Sequence, residues 1–253
     1  MNHPTTTITC IRGFSLIELL VVISIIALLI GILLPALASA RASARVTTCL
    51  SMQRQLALGI NAYATQNKDH IPRGPATLSF IPASFGSSAQ VREYEVASSV
   101  IQLPGTVYSS HGVLLKGYIS NPQAMFCPAD DTTEPAEELE KIGDPMQVAF
   151  SSYVYRQLDQ APQGRLSNLG RNDEGVRATA LLFDSNSVFK AYPDTYRTNH
   201  NNNPVNVAYS DGHVKSFQNP RNVLSLTSSD YGLGWTGIES AYNRMLIHTD
   251  RDP

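Results

Sequence analysis

Cysteine is scarce in this sequence, with three in 253 residues, and tryptophan occurs once. The cysteines are Cys10, Cys49 and Cys127, too widely spread for a Cys-x-x-Cys pair or the Cys/His spacing of a zinc module. An excess of either charge is also lacking: 19 basic and 21 acidic residues give a net charge of −2. That balance offers nucleic acid no electrostatic footprint, and no nucleic-acid partner is expected. Catalytic signatures are missing too. There is no Gly-x-Ser-x-Gly, no His-Glu-x-x-His and no phosphate-binding glycine loop. Cys127 is followed by proline and has no histidine near it in sequence. No nucleophile can be matched with a base, so the expectation is a protein that is not an enzyme.

What the sequence does have is one long apolar run. From Phe14 to Leu37 the only ionisable residue is Glu18. As a helix the run would be about 36 Å long, enough to cross a hydrocarbon core of about 30 Å. A core helix is usually shorter, and a cleaved secretory signal has a shorter apolar region with its small-residue site after it. A lipid-anchor reading of Cys10 fails because no apolar region precedes it. Glu18 is costly in such a place, by roughly 2.5–3.5 kcal/mol on insertion scales. The next basic residue is Arg41. A partner must therefore come from elsewhere, or the carboxyl stays protonated. Cutting the chain after Gly13 would create an amine on Phe14 that could pair with Glu18 of a neighbouring parallel helix. Arg12 is the only charged side chain before the run, while Arg41, Arg45 and Arg54 follow it. Positive-inside counting alone would not put the N-terminus in the cytoplasm; the cleavage-like segment is given precedence over it.

The stretch Gly13-Phe14-Ser15-Leu16-Ile17-Glu18-Leu19-Leu20-Val21-Val22-Ile23 resembles the N-terminal processing and methylation segment of type IV prepilins and type II secretion pseudopilins. The resemblance runs through Leu37, with Pro35 where many members carry a helix-loosening proline. It implies a leader at 1–13, removed by prepilin peptidase between Gly13 and Phe14, with N-methylation of Phe14. It implies a transmembrane and assembly helix at 14–37, with Glu18 setting the register between subunits. The implied partners are prepilin peptidase, other pseudopilin subunits, a secretion or pilus assembly platform, and the membrane. The implied location is the inner membrane, single-pass, with the globular part on the extracytoplasmic side.

After Pro35 the pattern becomes amphipathic. Val46, Cys49, Leu50, Leu56, Ile60 and Tyr63 follow helical spacing, so the helix should continue over 38–67 and end at Asn67-Lys68-Asp69 and Pro72. Residues 68–253 are expected to form a β-rich globular domain. Its first part is rich in Pro, Gly and Ser, with short apolar runs at Leu78–Ile81 and Ser99–Leu103. An acidic stretch at 129–145 reads as a solvated loop with one helical turn, and it lacks an Asp-x-Asp-x-Asp-Gly calcium loop. Strands are expected at Val148–Tyr155, Ala178–Phe183, 206–210 and 213–217. The last two flank Asp211-Gly212, a two-residue hairpin signal. The fold class is α+β: a long N-terminal helix packed on a C-terminal antiparallel sheet, pilin-like.

Several polar residues in this half could carry chemistry. Asp184, His200, Asp211 and His213 would form a metal or acid–base site if their strands converged. The simpler reading, preferred here, is that Asp211-Gly212 makes a turn and Asp184 or His200 bonds a loop. No cofactor is required, although calcium or another metal stays conceivable. The segment from His200 to Val214 also resembles a C-terminal motif of many pseudopilin-like proteins, a histidine nine residues before Asp-Gly; here the gap is ten. Outside the cytoplasm Cys49 and Cys127 could pair as a disulfide, or remain two buried thiols. Trp235 falls in a Gly-rich stretch that reads as a loop. The expected function is a structural pseudopilin subunit of a type II secretion-like or type IV pilus-like filament. The alternative is a membrane-anchored binding module for a secreted substrate or surface polysaccharide.

Overall fold

The computed structural model describes residues 15–73, 97–103, 105, 107–131, 133–156, 164–184, 186–191, 195–197 and 199–253. The apolar run at Leu78–Ile81, the leader and the Gly13–Phe14 bond lie outside the described residues. The chain divides into two compact units, residues 1–43 and 44–253.

The first unit consists of the opening turns of helix α1 (Leu16–Gln66). Its large apolar side chains from Leu16 to Leu37 are all exposed. They lie all round the helix, as expected of a segment that meets lipid or other helices on every side. Pro35 sits inside the helix, where it removes one backbone hydrogen bond and crowds the carbonyl of Gly31. The helix start is closed by side chains. Ser15 Oγ accepts from the Ile17 N–H at 3.3 Å, and Glu18 Oε2 accepts from the Ser15 N–H at 2.9 Å. Ser15 and Glu18 thus form a Ser-x-x-Glu capping arrangement. Glu18 therefore has a partner within its own segment, a backbone N–H rather than a cation.

In the second unit α1 shows one buried face: Cys49, Gln53, Leu56, Ala57, Gly59, Ile60 and Ala64. The spacing is the amphipathic one read from sequence. Leu56 and Ile60 are fully buried, each worth about 1.5–3 kcal/mol of apolar burial. Gly59 permits close approach, because a Cβ there would stand 2.8 Å from Ile119 Cγ2.

This face packs on a six-stranded antiparallel sheet in the order β2-β1-β3-β4-β7-β8. The strands are β1 (Ala97–Leu103), β2 (Val107–Tyr108), β3 (Ala149–Arg156), β4 (Ala180–Asp184), β7 (Val205–Tyr209) and β8 (Val214–Phe217). Between β4 and β7 a separate hairpin, β5 (Ser187–Ala191) with β6 (Thr195–Arg197), leaves the sheet. The central strands β4 and β7 are buried along their whole length. Alternation sorts the side chains of β3 and β7 between two cores, whereas in β4 a register irregularity between Ala180 and Leu182 puts Leu181 and Leu182 together on the α1 side. Tyr153, Tyr155, Leu182 and Ala208 pack with α1. Val154, Phe183, Val207 and Tyr209 face the other way.

The opposite face is covered by α4 (Gly234–Asp250), which follows a short helix α3 (Ser228–Gly232). Ala241, Met245 and Leu246 of α4 are buried against the sheet. The region read as a Gly-rich loop around Trp235 is thus the first turn of a 17-residue helix. The acidic stretch holds α2 (Pro135–Lys141), of seven residues, with Lys141 Nζ 2.6 Å from Glu138 Oε1.

The β7–β8 hairpin differs from its expected form in one respect. Ala208 pairs with Val214, and the Tyr209 N–H donates to the His213 carbonyl at 3.0 Å, which leaves Ser210-Asp211-Gly212 as a three-residue loop. The Gly212 N–H donates to the Tyr209 carbonyl at 2.9 Å, and Gly212 has φ +90°. A turn followed by a left-handed glycine is the usual three-residue solution, and it puts glycine where other residues would be strained.

The last residue of α4 is tied to the sheet by a buried ion pair. Arg156 Nη1 and Nη2 donate to Asp250 Oδ1 and Oδ2 at 3.0 and 2.7 Å. Oδ1 also accepts from the N–H groups of Thr179 and Ala180 at 2.8 and 2.9 Å. Removing one partner leaves the other charge buried and uncompensated. Asp250→Ala should therefore lower unfolding stability by about 3–5 kcal/mol, read as a fall in urea midpoint; a loss under ~1 kcal/mol would contradict this role.

His111 is buried in a 3-10 turn (Ser110–Lys116), with Nε2 2.7 Å from Ser151 Oγ. That hydroxyl donates to the Tyr153 carbonyl at 2.9 Å, so His111 Nε2 is the donor to it. Nδ1 has no hydrogen-bond partner among the described residues. Burial pushes the imidazole pKa down to about 3. The native state thus holds the neutral ring, while the unfolded chain protonates near 6.5. This contribution is complete above pH ~6.5 and is lost as pH falls towards the folded value. Between pH 7 and 5 it should cost about 2 kcal/mol. Urea titrations of the detergent-solubilised chain at both pH values would measure it; His111→Gln should flatten the pH dependence by that amount, and an unchanged slope would refute the assignment.

Candidate functional site

Four potential ligand side chains meet where α1 crosses the sheet. Cys49 lies on the buried face of α1, one turn before Gln53. Cys127 follows a 3-10 turn (Pro122–Met125) in which Asn121 Oδ1 accepts from the Gln123 N–H at 3.1 Å. Asp184 closes β4, opposite Tyr153 of β3 in the sheet register. His200 opens a 3-10 turn (His200–Asn202) that leads into β7. All four are buried, and one ligand atom from each lies within 4.8 Å of the others.

The internal geometry is close. Cys49 Sγ is 3.4 Å from Asp184 Oδ1 and 3.5 Å from Tyr153 Oη. Cys127 Sγ is 3.3 Å from His200 Nε2, which stands 3.8 Å from Asp184 Oδ2. Surrounding groups hold these in place. Gln53 Nε2 donates to Asp184 Oδ1 at 2.9 Å, and the Asn206 N–H donates to Oδ2 at 2.8 Å. The Ala129 N–H donates to Cys127 Sγ at 3.4 Å. Asn206 Nδ2, a donor only, lies 3.2 Å from His200 Nε2, which must accept. The Nε2 lone pair is thus directed at the Asn206 amide, beside the cluster.

Burial governs the electrostatics. It pushes the Asp184 carboxyl well above the usual carboxylate range, and Cys49 beside it adds to the effect. The Cys49 thiol is likewise raised by burial and by its neighbour Cys127. Burial disfavours the charged form of His200, but Cys49 and Asp184 outweigh it and hold the net pKa above the ordinary value. Such a set of acids and one base can share protons or can jointly hold one cation.

Of the residues singled out from sequence, the structure brings Asp184 and His200 together and adds Cys49 and Cys127. The two cysteines stand as unlinked buried thiols. Asp211 and His213 are elsewhere. Both are exposed on the hairpin turn, with Asp211 Oδ1 2.6 Å from His213 Nδ1. Asn206, which touches His200, lies near the start of β7 and Asp211 lies beyond its end, with about 10 Å of strand to Tyr209, at ~3.4 Å per residue, between them.

The other sequence-marked feature is the N-terminal segment, where the exposed apolar turns of α1 begin at Leu16. Residues 9–34 match the prokaryotic N-terminal methylation motif. The methylation motif and the apolar helix together fit membrane anchoring in the manner of a prepilin- or pseudopilin-type protein. Neither the curated proteins nor the solved structures give a match to the chain.

Proposed function

We propose that the chain is a pseudopilin-type structural subunit of a type II secretion-like or type IV pilus-like filament. The observation that carries this reading is the coincidence of the methylation motif with a helix segment whose apolar side chains are exposed on all sides. Prepilin peptidase would cut between Gly13 and Phe14 and methylate the Phe14 amine. Before assembly the segment 14–37 would rest in the inner membrane, with the globular unit extracytoplasmic. In the filament the same surface would pack on neighbouring subunits. Moving from lipid to protein then forfeits little apolar burial, because both environments cover the helix.

Glu18 has two roles under this reading. In the single chain it caps α1 through the Ser15 N–H. In the assembly its charge would pair with the Phe14 amine of a neighbour. These roles separate chemically. Glutamine can complete a capping arrangement but carries no charge.

Mass spectrometry of the chain from cells with active prepilin peptidase should find N-methylated Phe14 as the first residue. An intact Met1 under those conditions would defeat the processing claim. For Glu18, both Glu18→Ala and Glu18→Gln should be processed, and both should assemble poorly if the charge is what counts. Normal filaments from Glu18→Gln alongside failure of Glu18→Ala would assign Glu18 to capping alone, an effect of about 0.5–2 kcal/mol.

A further inference from the structure

We propose that Cys49, Cys127, Asp184 and His200 bind one zinc-class divalent cation in a closed, tetrahedral, structural site. The donor set is two sulfurs, one imidazole nitrogen and one carboxylate oxygen. Thiolate and imidazole select zinc-like ions, whereas calcium and magnesium call for oxygen ligands throughout.

The spacing fits. Zinc bonds of about 2.0–2.3 Å imply tetrahedron edges of roughly 3.3–3.8 Å. Cys49 Sγ is 3.4 Å from Asp184 Oδ1 and Cys127 Sγ is 3.3 Å from His200 Nε2, while His200 Nε2 is 3.8 Å from the other carboxylate oxygen, Oδ2, so the ion would take whichever Asp184 oxygen turns to it. The remaining edges fall within 4.8 Å. The ligands would close on the ion by tenths of an ångström to about 1 Å. One existing contact must give way: the Asn206 amide now facing His200 Nε2 has to release that lone pair to the metal.

The surroundings are those of a supported site. Gln53 and the Asn206 N–H orient the two oxygens of Asp184, and the Ala129 N–H points at Cys127 Sγ. Such outer contacts fix ligand orientation and tune affinity. Gln53 Oε1 is buried without a hydrogen-bond partner among the described residues. His200 and Asn201 have φ of +53° and +51°. Two successive non-glycine residues in the left-handed region are strained, and strain of this kind gathers where geometry serves a site.

Four protein ligands leave no open position for water or substrate, which is the pattern of a structural ion. The ligands come from α1, the segment after the Pro122–Met125 turn, the end of β4 and the entry to β7. One ion would therefore join four segments that are remote in sequence, and its binding energy would add to folding.

The test uses the full chain, purified in detergent under reducing conditions without chelator. Elemental analysis should find one zinc per chain. Exchange with cobalt(II) should give thiolate-to-cobalt charge-transfer absorption and tetrahedral ligand-field bands. Cys127→Ser and His200→Gln should each lose the metal equivalent, and Gln53→Ala should weaken zinc binding by about 10–100-fold. If a ligand variant fails to fold, the cobalt spectrum of the unaltered chain still decides, because the charge-transfer band requires thiolate ligation. A Cys49–Cys127 disulfide in the purified chain would overturn the proposal. So would free thiols that take up neither zinc nor cobalt, or full zinc occupancy in a folded Cys127→Ser/His200→Gln double variant.

Discussion

A carboxylate that has lost its water must find other partners, and much of the second unit is arranged around meeting that need at Asp184. Its oxygens accept from Gln53 on α1 and from the backbone of Asn206 on β7, while Cys49 on α1 stands beside it. The residue itself belongs to β4. Helix, strand and neighbouring strand are thus fixed relative to one another by a single side chain. The geometry also limits the sequence. Position 53 must carry a donor long enough to reach across from the helix, and position 49 must be small enough to let the helix approach the sheet. An apolar residue at 184 would remove the burial cost but also the specification of which turn of α1 sits over β4. Buried polar groups can act as registry devices in this way.

The other face of the sheet repeats the principle with a full charge pair. Asp250 ends α4 and meets Arg156 at the end of β3, with the backbone of Thr179 and Ala180 and the Asn172 side chain also donating to it. Neighbouring central strands therefore carry one buried acid contact for each covering helix. Apolar packing supplies the area: Leu56 and Ile60 on one side, Met245 and Leu246 on the other. Apolar contacts alone are tolerant of sliding by a turn. The two carboxylates are not, because a shift of one helical turn, about 5.4 Å, would take Gln53 away from Asp184, leaving it the Asn206 N–H, and would carry Asp250 away from Arg156.

How much of this was legible beforehand depended on whether the signal was local. The amphipathic half of α1 was, since Cys49, Leu56 and Ile60 repeat at helical spacing. So were β3, β4 and the β7–β8 hairpin, whose alternation and Asp-Gly turn are properties of short stretches. Helix α4 also had a local signal: Ile238, Ala241, Tyr242, Met245 and Leu246 follow helical spacing. It was obscured by Gly232, Gly234 and Gly237, which lower helix propensity around the start. The Cys49–Cys127–Asp184–His200 cluster had no local signal. Its members are 78, 57 and 16 residues apart in sequence, and only the sheet order with β4 beside β7 brings them together. Asp211 drew attention by its nearness to His200 in sequence, yet a strand between them carries the two to opposite ends. For Asp184, already a candidate beside His200, the hint was chemical. An aspartate closing the wholly apolar run Ala180-Leu181-Leu182-Phe183 had to be buried, and a buried acid needs company.

The N-terminal half of α1 poses the reverse problem. It exposes apolar side chains all round, and nothing within residues 15–43 covers them. In water this surface would drive association without specificity, since a uniformly apolar helix has no preferred face. Two polar features break that uniformity at its start: the Ser15 hydroxyl and the Glu18 carboxylate, which close the first turn on themselves. A capped carboxylate is partly satisfied, so it costs the bilayer less than a bare one. It also retains acceptor capacity, because a carboxylate has two oxygens and about four acceptor sites. Capping and pairing with a neighbour are therefore compatible on one side chain. Under the proposed filament role, the segment would wait in a membrane as a capped helix and later gain a directional contact from another subunit. That contact would select one register among the many that the apolar surface allows.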